Sequence, residues 1–283
     1  MKVAISMRSV QEPLLRGDMR ITDFIKYAAS LAVEGVELDD AYLSGAGVDN
    51  GEIQGILKET GLQVSCYDIC HQMEPLQGKA QEEELERIQA ELLVAKSLGV
   101  RYVKAVGGAF DSGVTARQVE DLIGQLVEMV LPALQGTNLT LVIENPASVN
   151  FDSRHLAQLL AEIDNPQVKA GFNMANAFVA GEDPEAALER LKDQIVHVRA
   201  VDVRWADCDE EPQSGSYVGC VVGLGLVPLE RLFKVLRTQE YEGWISLEFT
   251  GLEDAYFGTE ASLKNLRQCL VALQSEVFHP SES

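Results

Sequence analysis

The sequence predicts a single α/β domain of the (β/α)8 TIM-barrel class spanning residues 1–283, and three observations lead to it. Eight short runs rich in Val, Ile, Leu and Ala each precede a segment with helical periodicity, the pattern of repeated βα units. The chain has 283 residues, and a barrel of this kind typically takes about 250. Two of the runs, in TLVIEN and WISLEF, close on a carboxylate, Glu144 and Glu248. A charge beside a buried strand is costly unless paired or liganded, and in such barrels chemistry sits at the carboxyl ends of the strands. A doubly wound open sheet is the competing architecture. It would place a glycine-rich turn after its first strand, where this chain reads SMRSVQEP, without glycine.

Local signals give each element in turn. Lys2–Met7 is the first strand, followed by a polar loop from Arg8 to Arg20. Thr22 and Asp23 cap a helix to about Val33, with Phe24, Ile25, Ala28 and Leu31 at helical spacing. Gly35–Leu38 is the second strand; Asn50 caps the next helix and Gly61 ends it. Leu62–Ile69 is the third strand, and an acid-rich helix runs from Lys79 to Leu98, stopped by Gly99. Its Glu82–Glu84 run is a solvated first turn favoured by the helix dipole. Val100–Gly107 is the fourth strand, ending in Gly107–Gly108; Thr115 caps a helix to about Leu134, and Leu139–Asn145 is the fifth strand.

Asp152 or Ser153 caps a helix to Ile163, and Val168–Met174 is the sixth strand. Pro184 stands one residue inside the helix of Asp183–Gln194, a favoured placement. Ile195–Asp202 is the seventh strand. The polar excursion Trp205–Val222 follows without helical or strand periodicity, a length that often marks a functional lid. Pro228 opens a helix to about Thr238, and Gly243–Phe249 is the eighth strand. The last helix, Thr259 to about Val277, carries Leu263, Leu266, Leu270 and Leu273 on one face.

Composition narrows the function classes. The formal net charge is −21, which repels phosphate backbones and anionic lipid and argues against nucleic acid and membrane partners. No apolar run approaches the roughly 20 residues of a membrane span, and MKVAISM lacks the apolar core of a signal peptide. The five cysteines, Cys66, Cys70, Cys208, Cys220 and Cys269, are odd in number and scattered, which points to a reducing cytoplasm. Cys66, Cys70 and His71 have no second pair at zinc-type spacing and are read as core cysteines with an incidental neighbour.

The strand-end polar residues that converge on the barrel mouth are Glu37, Tyr67, Asp68, Lys104, Glu144, Asn145, Asn173, Asn176, His197, Arg199, Asp202 and Glu248. Glu144 and Glu248 are the strongest pair. Two facing carboxylates suit either a divalent metal or proton transfer on both faces of a carbon acid. His197 fits a core histidine bonded to a carbonyl as well as it fits a functional one. Arg199, inside the apolar run VHVRAV, needs a partner: Glu144, Glu248 or an anionic substrate. GLGLVP, Gly223–Pro228, reads as a plain turn rather than a phosphate cradle.

The stretches GVEL, LVIENPAS, GFNMANAFVAGEDPEAALERLKDQIVHVRAVD and GLGLVPLERLFKVLRTQEYEGWISLE resemble the xylose-isomerase-like TIM-barrel superfamily of sugar isomerases and epimerases. The resemblance covers most of the chain and is most specific at the ED-P helix start and the Y-x-G-x-x-S-x-E ending. It implies one divalent metal (Mn, Mg, Co or Zn), held by Glu, Asp, His and Glu on the fifth to eighth strands, with the two glutamates as acid and base. The glutamates are retained as Glu144 and Glu248. The aspartate position holds Asn173, the histidine of D-x-x-H is Asn176, and the H-x-H motif reads His197-Val198-Arg199. Two of four ligands are thereby replaced, one of them by a fixed cation, which argues against a bound metal.

The implied activity is a cytoplasmic isomerase or epimerase of a sugar, sugar phosphate, polyol or keto acid. Glu144 and Glu248 transfer protons, while Arg199, Lys104, Asn173, Asn176, His197 and Tyr67 bind substrate. A lyase or dehydratase begins with the same proton abstraction. The contrasting expectation is a non-catalytic ligand-binding barrel, its ancestral metal site turned into an ion cluster. The endonuclease branch of the superfamily needs more ligands than the four histidines His71, His155, His197 and His279 help supply, and a basic groove. Partners are thus expected to be a small sugar or polyol-like molecule and, by the resemblance, further copies of the chain.

Overall fold

The computed structural model describes residues 1–43, 49–71, 77–106, 113–148, 150–207, 210–212 and 216–275. Eight parallel strands close into a barrel in the order β1, β10, β7, β6, β5, β4, β3, β2. They are β1 (Lys2–Ser6), β2 (Gly35–Asp39), β3 (Gln63–Asp68), β4 (Tyr102–Val106), β5 (Thr140–Glu144), β6 (Val168–Asn173), β7 (Ile195–Ala200) and β10 (Trp244–Leu247). Between the last two, β8 (Val203–Trp205) and β9 (Tyr217–Gly219) form a separate antiparallel pair. Helices alternate with the strands: α1 (Gln11–Arg16), α2 (Ile21–Ser30), α3 (Asp40–Leu43), α4 (Asn50–Thr60), α5 (Lys79–Ser97), α6 (Ala116–Leu134), α7 (Ser153–Ile163), α8 (Met174–Val179), α9 (Pro184–Leu191), α10 (Leu229–Thr238) and α11 (Ala255–Ser275). None among the described residues is long and apolar enough to cross a membrane.

The expected eight βα units are all present, with caps at several of the expected places. Thr115 and Asp152 accept from backbone N–H groups at the starts of α6 and α7, and Asp183 does so ahead of Pro184 in α9. Asp49, rather than Asn50, caps α4, and Gly61 ends it at φ +74°. The expected loop Arg8–Arg20 instead holds a 3-10 turn, Met7–Val10, and α1, whose Leu14 and Pro13 pack inward. Part of Trp205–Val222 is also ordered into strand. Tyr217 stacks on Trp205 at 4.5 Å between ring centroids and meets Phe178 of α8 edge-on at 5.6 Å, which pins the hairpin to the barrel. The expected strand end Gly107–Gly108 and Cys208 lie outside the described residues. Cys66 is buried as expected, but Cys70 is exposed.

Alternation along the strands sorts side chains between two interiors. Val36, Leu38, Val103, Leu141, Ile143, Phe172, Val198, Ile245 and Leu247 face the helices and join one continuous apolar core. Burying each such side chain is worth about 1.5–3 kcal/mol. The other parity, Glu37, Asp68, Lys104, Glu144 and Arg199, points into the lumen. Barrels ordinarily fill that space with layers of Val, Ile and Leu; here its upper layer is ionic.

Candidate active site

Six charged side chains meet at the carboxyl end of the barrel. Arg199, on β7, sits at their centre. Its Nη2 donates to Glu37 Oε1 and to Asp68 Oδ2 (2.7 Å), its Nη1 lies 3.4 Å from Glu144 Oε1, and its Nε lies 3.0 Å from Glu248 Oε2. Lys104, on β4, is 3.1 Å from Glu37 and from Asp68 and 3.2 Å from Glu144. Register explains the convergence: Asp68 pairs with Lys104 across β3 and β4, and Ser246 pairs with Arg199 across β7 and β10, two residues before Glu248. All six side chains are nearly buried, Glu248 being the most exposed at 10%.

Charge fixes the protonation of the cluster. Burial pushes the Glu144 carboxyl up, but Arg199 and Lys104 outweigh it and hold it below the usual carboxylate range. The same balance holds Glu37 well below that range. In Asp68 burial wins, with Glu37 adding repulsion, and the group is pushed up to about 7. Burial lowers Arg199, yet its four carboxylate partners raise it well above its ordinary value. His197 lies beneath the cluster, fully buried, and burial pulls it down to about 4, so it is neutral. Among the described residues neither of its ring nitrogens has a hydrogen-bond partner; Nε2 is 3.6 Å from Glu37 Oε2. It is a core histidine, and the expected carbonyl bond is absent.

The structure brings together Glu144, Glu248, Arg199 and Lys104 of the expected set and separates the others. Tyr67 faces the opposite way: it is buried against α5, its hydroxyl donating to Glu91 at 2.5 Å, so it cannot bind substrate at the mouth. Adjacent strand residues point to opposite faces, and Asp68 is the one turned inward. Lys104 donates to Glu37 and Glu144 and pairs with Asp68, which places it inside the cluster among three carboxylates. Asn173 Oδ1 caps α8, accepting from the backbone N–H of Ala175 and Asn176. Asn176 in turn donates to the Asn145 carbonyl at 2.9 Å. Asn173 thus engages its amide oxygen at the β6–α8 junction, and Asn176 its amide nitrogen at the end of β5.

Two mouth candidates without an expected role, Glu37 and Asp68, are central to the site, and Arg8 lies beside it without being expected there. Glu37 and Asp68 carry the same signal as Glu144, an acid closing an apolar run, and join the cluster through both cations. Arg8, just past β1, holds Asp39 through Nε at 2.9 Å and Nη2 at 2.8 Å, and 40% of its side chain stays exposed. Asp202 serves the GLGLVP turn: its carboxylate accepts from the backbone N–H of Val203, Gly223, Gly225 and Val227 at 2.9–3.0 Å. A Cβ on Gly225 would land on Asp202 Oδ1 and the Val203 carbonyl, which is why that position is glycine. The turn is therefore built around an internal carboxylate.

A family model described as xylose isomerase-like TIM barrel matches residues 25–269. The chain belongs to this family. Among curated relatives, a 3-oxo-isoapionate decarboxylase of Pectobacterium atrosepticum is 26% identical over 177 residues, 58% of this chain and 62% of that protein. An inosose dehydratase of Clostridium beijerinckii is 31% identical over 102 residues, 32% of this chain and 33% of that protein. The chain thus spans less than two thirds of the curated relatives it matches. Among solved structures, the probable 3-DHS dehydratase AsbF from Bacillus anthracis superposes with a TM-score of 0.75 at 18% identity, covering 94% of this chain and 99% of that one. The 3-keto-D-glucoside 4-epimerase YcjR from E. coli gives 0.67 at 18%, covering 95% and 100%. At such identities the superpositions show the shared fold.

The metal that the xylose isomerase-like resemblance implies does not fit the residues present. Both oxygens of Glu144 and Oε2 of Glu248 already face cations, and Asn173 Oδ1 is turned to backbone N–H groups. A divalent ion bridging the two glutamates would stand beside the Arg199 guanidinium. At about 4 Å the repulsion is roughly 8 kcal/mol for an effective dielectric constant near 20. Among the described residues no group of three or more His, Cys, Asp or Glu is arranged to hold a metal ion.

Proposed function

We propose that this chain is a cytoplasmic enzyme that moves a proton at the carbon next to the carbonyl of a small sugar-derived substrate, as an isomerase or epimerase. The observation that carries this reading is Glu248 beside Arg199 at the top of the lumen. Glu248 is the most exposed carboxylate of the cluster, and among the described residues its Oε2 makes no hydrogen bond beyond the 3.0 Å ion contact with Arg199 Nε. A carboxylate there takes the proton from the α-carbon, and the electron pair moves onto the carbonyl oxygen. Arg199, permanently charged, has an N–H on Nη1 left to face that oxygen. Glu144, held ionised in the resting cluster, keeps the guanidinium in place and is the second group of the proton-transfer pair. To give an epimer it first takes a proton from solvent and then delivers it to the other face while Glu248 keeps the abstracted one. Loss of a β-hydroxyl, protonated by Glu248 as it leaves, gives a dehydration product. The names of the curated relatives, a 3-oxo-isoapionate decarboxylase and an inosose dehydratase, are those of enzymes acting on oxo compounds and support the reading.

The experiment is deuterium exchange. Ketoses, inososes and keto sugar acids are incubated with the protein in D2O, and loss of the α-proton signal is followed by NMR. Exchange that disappears in Glu248→Gln supports the reading. The competing reading, a non-catalytic binding barrel, draws on the near-complete mutual pairing of Lys104 and Arg199. It gains if the folded protein binds a panel member without exchanging its proton.

A further inference from the structure

Arg199 occupies the position where four carboxylates converge, and its contacts leave no room for a second cation of the same role. We propose that Arg199 replaces the divalent metal of the site, so that the chain binds no stoichiometric metal between Glu144 and Glu248 and works without one. This rests on the proton-transfer reading for its chemistry, but not for its test.

Three independent observations carry it. Nε and Nη1 of Arg199 face Glu248 and Glu144, the two acids that would share the ion. Glu37 and Asp68, from β2 and β3, grip Nη2 from the far side, so the guanidinium is fixed over the lumen and cannot swing away without leaving Glu37, Asp68 and Glu144 to Lys104 alone and Glu248 without its ion contact. The remaining ligand position, Asn173, is engaged as the cap of α8 through its oxygen. A guanidinium also does for an enolate what a metal does electrostatically: it offers fixed positive charge, adding directional N–H donors and needing no coordination sphere. Unlike an ion it cannot be removed by a chelator.

The test is titration of the intact, tag-free protein with Mn by calorimetry, with bound metal counted by elemental mass spectrometry after gel filtration. The wild type is expected to bind no stoichiometric Mn. The double variant Arg199→His with Asn173→Asp, which restores the family's ligand types, is expected to gain a saturable site of one Mn per chain. Should that variant fail to fold, Arg199→Gln removes the charge while keeping an uncharged hydrogen-bonding side chain and is expected to tighten Mn binding at least tenfold. One Mn per wild-type chain, lost in Glu248→Gln, overturns the proposal. So does failure of every folded variant to gain Mn affinity, because Arg199 would then not be what excludes the ion. Deuterium exchange separates this from the functional reading. Exchange that is lost on chelation and restored by Mn removes the metal-free inference and keeps the enzyme, whereas absent exchange with no Mn binding does the reverse.

Discussion

Arg199 Nε and Glu248 Oε2 stand 3.0 Å apart across the seam between β7 and β10, a permanent cation against the least enclosed acid of the cluster. The pair puts a base and a charge stabiliser within one contact of each other. Replacing Glu248 by Gln keeps the volume and a hydrogen-bonding group but removes the base. Deuterium exchange by NMR is expected to fall about 100-fold or more, with the circular dichroism spectrum unchanged. Full exchange in this variant would remove Glu248 from the mechanism.

Arg199→Met strands Glu37, Asp68 and Glu144 with Lys104 alone. Breaking a buried ion network by removing one partner typically costs about 3–5 kcal/mol. Glu37 and Glu144 are held low by Arg199 in the folded state, so they lend stability above their unfolded values and lose it as pH falls. Without the cation they can take up protons, and the deficit of the variant is expected to shrink from pH 7.5 to pH 5 in urea unfolding. An unchanged deficit would mean that packing, not charge, sets the cost.

How much of this was legible before the structure differs by residue. The strands announced themselves through β-branched runs, and Glu144 and Glu248 through the acids that end them. Glu37 and Asp68 carry the same mark, diluted by the neighbouring Asp39, Asp40 and Tyr67. Parity decides between Tyr67 and Asp68, and parity needs the register with β4, which no local pattern states. Arg199 was expected to find one or two partners; it found four, from β2, β3, β5 and the end of β10, because barrel closure joins segments remote in sequence. The capping role of Asn173 was hidden because α8 begins directly at Met174, without the usual loop.

His197 makes the acid limb of stability testable. Its folded value of about 4 lies below the unfolded 6.5, so the folded state prefers it neutral. That contribution is complete above pH 6.5 and is lost as pH falls from 6.5 towards 4, roughly 3 kcal/mol in all. Asp68 works in the opposite sense: raised to about 7 from 3.8, it costs stability as pH rises through that range. His197→Leu, at a position with no ring hydrogen bond to lose, is expected to flatten the decline between pH 6.5 and 4. A decline of wild-type steepness in this variant would place the proton uptake elsewhere.

Tyr67→Phe serves as the control for the site's boundary. The hydroxyl bonds Glu91 on the helix side of the sheet, so its loss is expected to cost about 1–2 kcal/mol of stability and to leave exchange within twofold of wild type. A large drop in exchange at unchanged stability would return Tyr67 to the mouth.

The ionic lumen also bears on how the barrel comes together. Its first half, β1 to β4, contributes Glu37, Asp68 and Lys104; its second half, β5 onward, contributes Glu144, Arg199 and Glu248. Each half thus carries two acids and one base, and neither half neutralises itself. A half-barrel, often pictured as a self-sufficient unit of this architecture, would here expose an unbalanced charge to its own apolar floor. Closing the ring does not cancel the excess of acids, but it brings Lys104 against Glu144 and Arg199 against Glu37 and Asp68, so assembly of the two halves is tied to completion of the site.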